Sequence, residues 1–282
     1  EFWETYDLPE IYQQLVAADN MLATILKSDD TAAEGSETTT VEATSEVVAD
    51  NAAAETTNDA DSLLAKIGED KPEAQAAQSM EEFAKLHPLF AVLQINQYNG
   101  QLASGPVVGI ADKKDMAKID EYLNMKQVKD LLPRNLSLKW GVKAIDEKEQ
   151  FFYLYAIKKT NRDGTPALGG DVVTDANADF VQQAGRSEQV VDMVMNAEGA
   201  KAWARLTKEN IGKAVAIVLD DMVYSAPNVQ VEITGGRSQI TGHFTPEEAK
   251  DLANVLKSGK MAASVHIVQE DVVGPSLGQE AI

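Results

Sequence analysis

Residues 212–259 constrain the fold most tightly, because their local signals agree with one another. Residues 214–219 (AVAIVL) are a continuous apolar run, which suits a strand covered on both faces. Asp220 and Asp221 break the run as a polar turn, and Met222-Val223-Tyr224 resumes it as a second strand. Pro227 has no N–H to donate and ends or edges that pairing. Val229, Val231 and Ile233 alternate with Gln230 and Glu232, which predicts a half-exposed strand. Gly235-Gly236 then turns the chain into Gln239-Ile240-Thr241. The following helix is framed at both ends. Thr245 is the N-cap, Pro246 the first helical residue, and Glu248 closes a capping box. Ala249, Leu252, Ala253 and Leu256 make its apolar face, and Gly259 follows its last turn. Small sheets carrying helices follow from these signals.

The rest of the chain extends that reading. Residues 2–6 read as a strand. Asp7 caps a helix with Glu10 three residues on, and Ile11, Leu15, Ala18, Leu22 and Ile25 carry its period to about Leu26. Between Lys27 and Lys66 the chain has ten acidic residues, no base and no aromatic. Such a stretch buries too little apolar surface to offset its ordering entropy, so 28–78 reads as an acidic flexible linker. Strands are expected at 90–95 and 106–110. A helix over 112–132 breaks near Asn124 and stops at Pro133, and strands follow at 136–144 and 151–157. The Gly/Pro/Asn-rich stretch 161–170 is a boundary. A strand at 189–196 leads into a helix capped by Asn196, and 265–268 is a last strand. The fold class is α+β, with small mixed or antiparallel sheets, helices packed on one face, and two subdomains.

Charge and composition exclude several functions. A net charge of −20 opposes binding to a phosphate backbone or to anionic lipid headgroups. The absence of cysteine excludes disulfides, thiolate metal sites and cysteine nucleophiles. No apolar run approaches the ~20 residues of a membrane span, and no signal peptide is present. The abrupt start at Glu1-Phe2-Trp3 and the Gly274-Pro275-Ser276-Leu277-Gly278 end are expected of a piece of a longer chain.

The sequence offers no site chemistry. Asp220 and Asp221 are adjacent carboxylates, but neighbours on a strand point to opposite faces, and a hairpin turn explains them. Residues 159–170 fail the calcium-loop pattern at both ends. His87, His243 and His266 lack metal-ligand spacing and read as ordinary surface or packed residues. Phosphate-loop, dinucleotide and nucleophile-elbow motifs are all missing. Catalytic residues, metal ligands and cofactors are therefore expected to be none.

A run of specific blocks then points to a family. They are Asn196-Ala-Glu-Gly-Ala200, Leu206-Thr-Lys-Glu-Asn-Ile-Gly212, Ala216-Ile-Val-Leu-Asp220, Tyr224-Ser-Ala-Pro227, Gly235-Gly236, Ile240-Thr-Gly242, Phe244-Thr-Pro-Glu-Glu-Ala249, Leu252-Ala253, Val255-Leu256, Ser258-Gly259 and Val273-Gly-Pro-Ser-Leu-Gly278. Together with 170–176, they make residues 190–278 resemble the large periplasmic loop of the Sec translocase subunit SecD, including its fused SecD–SecF forms. The resemblance implies a head that captures emerging unfolded preprotein and swings relative to a membrane-proximal base. It implies drive from a proton current through membrane helices absent here. Residues from about 8 to 160 depart from the common family pattern and read as an enlargement of the head.

On that basis 1–27 is the end of a base strand and the helix leading out of it, and 28–78 the linker. An inserted α+β subdomain follows at 79–165, the head core at 166–262, and a return strand at 263–282. The implied partners are unfolded preprotein, SecF and the SecYEG channel, without nucleic acid and without membrane insertion by this segment. The implied location is the periplasmic side of the bacterial inner membrane. Met222, Val223, Tyr224 and Pro227 are the candidate preprotein contacts. Gly169, Gly170, Ala262 and Ala263 are the candidate hinge. Two other functions stay open. One is a periplasmic metal hydrolase using Asp220 and Asp221. The other is a structural module that docks other translocase subunits.

Overall fold

The computed structural model describes residues 1–34, 80, 82–146, 148–183 and 186–258. The expected linker beyond Glu34, the expected strand at 265–268, and Ala262 and Ala263 lie outside those residues, as does His266.

The chain opens with β1 (Phe2–Thr5) and a long helix, α1 (Leu8–Glu34). The helix runs past the expected end at Leu26, because the sequence supplies no helix-breaking Gly or Pro before Gly35. After a short helical turn at 82–86 come β2 (Leu93–Ile95), the small hairpin β3 (Gln97–Tyr98) and β4 (Gln101–Leu102), and β5 (Val107–Asp112). Two helices follow, α2 (Met116–Asn124) and α3 (Lys126–Lys129), broken at Met125, which adopts an extended ψ of 133°. The long hairpin β6 (Leu136–Ala144) and β7 (Phe151–Lys158) comes next. A 3-10 turn at Gly170–Val172 leads to β8 (Val173–Gln183) and β9 (Arg186–Met195), then α4 (Ala197–Glu209). The chain closes with β10 (Val215–Leu219), β11 (Met222–Ser225), β12 (Arg237–Phe244) and α5 (Pro246–Ser258).

Seven strands join in the order β1-β10-β11-β6-β7-β5-β2. β7 also pairs with β1, so β1, β10, β11, β6 and β7 close into a small barrel. β7 manages this by dividing one edge. Phe151 to Tyr155 face β5, while Ile157 and Lys158 face Thr5 and Glu4. The barrel draws strands from three stretches separate in sequence: the N-terminus, the 136–158 hairpin and the 215–225 hairpin.

The two-residue period of each strand sorts side chains between three cores. Trp3, Ile157, Ala216, Val218 and Val223 fill the barrel, with Tyr155 against them. Burial pushes the Tyr155 phenol up to about 12. Small residues are required in so narrow a barrel: a side chain at Gly141 would begin 3.2 Å from the Tyr155 ring. Facing outward on one side, Leu154 and Ala156 of β7 meet Leu8, Ile11, Leu15 and Leu22 of α1. Full burial of each such leucine contributes about 1.5–3 kcal/mol. On the opposite side Phe2, Val215 and Ile217 pack on the three-stranded sheet β12-β9-β8 and on α4 and α5.

The caps predicted at Asn196 and Thr245 are present, and at Asp7 the reciprocal bond is made, its N–H donating to Glu10 Oε2 at 3.3 Å. Asn196 Oδ1 accepts from the Gly199 N–H at 2.7 Å. Thr245 N–H donates to Glu248 Oε2 at 3.0 Å, and the Glu248 N–H returns a bond to Thr245 Oγ1. Asp220 and Asp221 are also a turn. Both have positive φ, 48° and 65°, which is the two-residue hairpin geometry joining β10 to β11. One expected strand is absent. Val229 to Ile233 is no strand: isolated bridges from Val229 and Asn228 tie its start to the 211–214 segment instead. β8, rich in Asp and Asn, is a strand despite the low strand propensity of those residues.

Candidate functional site: an apolar groove beside an open strand edge

The departure of 229–233 from the sheet creates the site. β12 pairs with β9 along one edge, and among the described residues no strand pairs with its other edge. The 227–233 segment stands off from β12 and walls a pocket of about 270 Å³. Its lining includes Phe2, Met193, Trp203, Ile217 and Ile240, so it is mostly apolar. The Phe2 and Trp203 rings meet at a centroid distance of 5.1 Å, tilted by 59°. The indole N–H is satisfied by Ser238 Oγ at 2.7 Å, which leaves the ring itself as an apolar surface.

The wall is held at both ends. Near its start Val215 N–H donates to the Pro227 carbonyl at 3.1 Å, and Gly212 N–H to the Val229 carbonyl at 2.8 Å. Ile233 N–H donates to Thr207 Oγ1 at 3.0 Å, and that hydroxyl donates to the Trp203 carbonyl at 2.7 Å. Gly236 closes the turn at φ 65° and bonds back through its carbonyl to the Met195 N–H. A side chain there would begin 2.7 Å from Ala200 Cβ, so the turn suits glycine. Between these anchors Val231 is 63% exposed.

The candidate contacts Met222, Val223, Tyr224 and Pro227 are parted by the strand period. Val223 is buried inside the barrel. Met222 and Tyr224 are half-buried, Met222 against the α1 core and Tyr224 against the head core. Pro227 alone lines the groove. Phe2, Trp203, Val231 and Ile240 were missed, since each reads in sequence as an ordinary core or strand residue. The signal that pointed there was the 229–233 alternation following Pro227. At the candidate hinge, Leu168 is pinned to β1 by two backbone bonds with Phe2, 2.8 and 3.2 Å. Gly169 follows, extended at φ −70° and ψ 159°, and Gly170 begins the 3-10 turn.

The carboxylates show no metal arrangement: among the described residues no cluster of three metal-ligating side chains occurs. Asp221 is engaged by the Lys139 ammonium, which holds its carboxyl below the usual aspartate range. No helix among the described residues is long and apolar enough to cross a membrane.

A mixed α+β module with an apolar groove is thus the class the geometry of the described residues defines. Residues 146–263 match the family model described as SecDF, P1 head subdomain. The chain is 38% identical over 247 residues to the protein translocase subunit SecD of Rhodothermus marinus, covering 86% of this chain and 35% of that one. It is 37% identical over 177 residues to SecD of Rickettsia felis, covering 62% and 32%. It is 43% identical over 119 residues to SecDF of Thermus thermophilus, covering 42% and 16%. Among solved structures, a membrane component SecDF that enhances protein export is similar at 22% identity and a TM-score of 0.31, covering 78% of this chain and 96% of that one. The Thermus thermophilus SecDF, a translocon-associated membrane protein, is similar at 30% identity and a TM-score of 0.32, covering 49% and 21%. The chain is thus similar to SecD and SecDF protein translocase subunits, and residues 146–263 match the P1 head subdomain of that family. It spans about a third of the length of the Rhodothermus and Rickettsia relatives.

Proposed function

We propose that this chain is the periplasmic head region of a Sec translocase accessory subunit. It acts without catalysis, by holding emerging preprotein in extended form in the Trp203 groove. The observation that carries this reading is the groove itself: an apolar floor beside a strand edge that no described strand pairs with, within the P1 head match. An unpaired edge offers backbone donors and acceptors to any extended chain, and an apolar pocket takes its bulky side chains without reading sequence. A protein that must accept many passengers needs that combination. The net charge of −20 disfavours filling the groove with a second copy of the same chain.

Of the four contacts expected from sequence, the proposal keeps Pro227 and adds Phe2, Trp203, Val231 and Ile240. The divisions at 27, 78, 165 and 262 are retained as functional segments. SecF and the SecYEG channel are the partners of the whole subunit, and proton-driven motion belongs to membrane helices outside this chain. Gly169 and Gly170 act as the hinge, because Leu168 is fixed to β1 just before them.

Calorimetric titration of an unfolded preprotein segment tests the capture site. Val231→Asp changes an exposed side chain and leaves the cores intact. It should weaken binding about tenfold, from lost apolar contact and added charge. Equal affinity of wild type and V231D would contradict the placement.

A further inference from the structure

The two faces of β12 differ, and a strand laid beside it would meet that difference residue by residue. The period of two sends Ser238 and Ile240 to the core side. There Ser238 Oγ accepts the Trp203 indole N–H at 2.7 Å, and Ile240 is buried. Arg237, Gln239 and Thr241 are exposed on the opposite face. Gln239 donates there to Asp192, its cross-strand neighbour on β9, at 3.0 Å. Four consecutive residues of β12, 238–241, line the groove, and no described strand pairs with the edge beside them.

We infer that the groove selects passengers by a two-residue pattern: an extended segment with bulky apolar side chains at alternate positions and basic or uncharged polar ones between. Selection of this kind presupposes the capture reading and gives it a substrate class. A strand added along 238–241 opposes four residues, and its pleat turns two of them to the floor and two to solvent. The inward pair meets the apolar floor of Phe2, Trp203 and Ile240. The outward pair lies on the face of Arg237, Gln239 and Thr241, where an apolar side chain stays wet. Two apolar residues in succession send one of them outward, so the same composition fills less of the floor.

Charge sets the outward positions. The strand register puts Asp179 and Asp192 on the solvent face with Arg237, while Asp175 on that face is engaged by Lys257 at 3.5 Å. The local balance is acidic, as is the whole chain at −20. Basic residues are therefore favoured over acidic ones between the apolar positions.

Two isomeric peptides of roughly ten residues test the pattern, with an unfolded preprotein segment titrated alongside. One carries leucine at every second position, with lysine and serine between. The other has the same composition with its leucines in adjacent pairs. The alternating isomer should bind about tenfold more tightly, from burying one leucine more. It should also slow hydrogen exchange at those 238–241 amides that do not bond to β9. A third peptide, alternating but with glutamate for lysine, should bind more weakly at low salt and lose that disadvantage as salt rises. Equal affinity for the two isomers, with preprotein bound, would overturn the pattern and leave capture standing. Preprotein that fails to bind would remove both. Slow exchange at the same amides without peptide would show the edge taken by another part of this chain and would overturn the inference. Equal affinity for the glutamate and lysine peptides at low salt would overturn the charge preference.

Discussion

Replacing Thr207 with valine tests how the groove wall is held. Thr207 is fully buried in α4, and its hydroxyl is the acceptor for the Ile233 N–H at 3.0 Å. Valine keeps the shape and removes that acceptor. The Trp203 carbonyl retains its place in the helical ladder, so the loss falls on Ile233. An orphaned buried N–H costs about 1–3 kcal/mol, and Ile233 is half-buried, so about 1–2 kcal/mol is expected. The Ile233 amide should then exchange roughly tenfold faster, since about 1.4 kcal/mol is one decade. Thr207→Ser loses one methyl, about 0.8 kcal/mol of burial, but keeps the acceptor, so its Ile233 amide should stay protected. Preprotein affinity should fall in T207V and hold in T207S. Unchanged Ile233 exchange in T207V would refute the role assigned to the hydroxyl.

Four further outcomes follow from other parts of the fold. Thr245→Ala removes the α5 capping box and should cost about 1 kcal/mol in urea unfolding. Gly236→Ala should cost at least about 1–2 kcal/mol, because φ is 65° and the new Cβ meets Ala200, and a smaller loss in chemical denaturation would contradict that strain. Lys213 donates to Glu10 at 2.8 Å and holds its carboxyl below the usual glutamate range. The stabilisation is therefore present above the unfolded-state value and lost as pH falls through the lower folded value. Glu10→Gln should lose a few tenths of a kcal/mol at pH 7 and show a flatter acid limb of stability against pH. Alanine at both Gly169 and Gly170 should leave the chain folded by circular dichroism but slow export by the full-length protein, and normal export would remove the hinge.

Local signals made much of the fold legible. Asn196 and Thr245 announced their helices, and the period of Ile11, Leu15, Ala18 and Leu22 announced α1. Asp220-Asp221 was readable as a turn because polar residues tolerate left-handed φ. The barrel was not readable, because its closure depends on β7 sharing one edge between β5 and β1, which no local pattern encodes. β8 was hidden by its Asp and Asn residues, whose low strand propensity is overridden by pairing along β9. The groove was misread for the opposite reason. Val229, Val231 and Ile233 have the strand period, but bridges from Val229 and Asn228 to 211–214 pull the start of that segment off β12. Asp19 looked like one more polar helix residue, and His87 like an isolated histidine. Only the return of the chain across 68 residues brings them together.

The most direct test of the capture reading is a titration of an unfolded preprotein segment against isotopically labelled protein, followed amide by amide. Shifts should concentrate at Val229 to Ile233, along β12 and at the Trp203 indole, with the α1 core silent. Absence of any shift across residues 190–262 would contradict capture by this head.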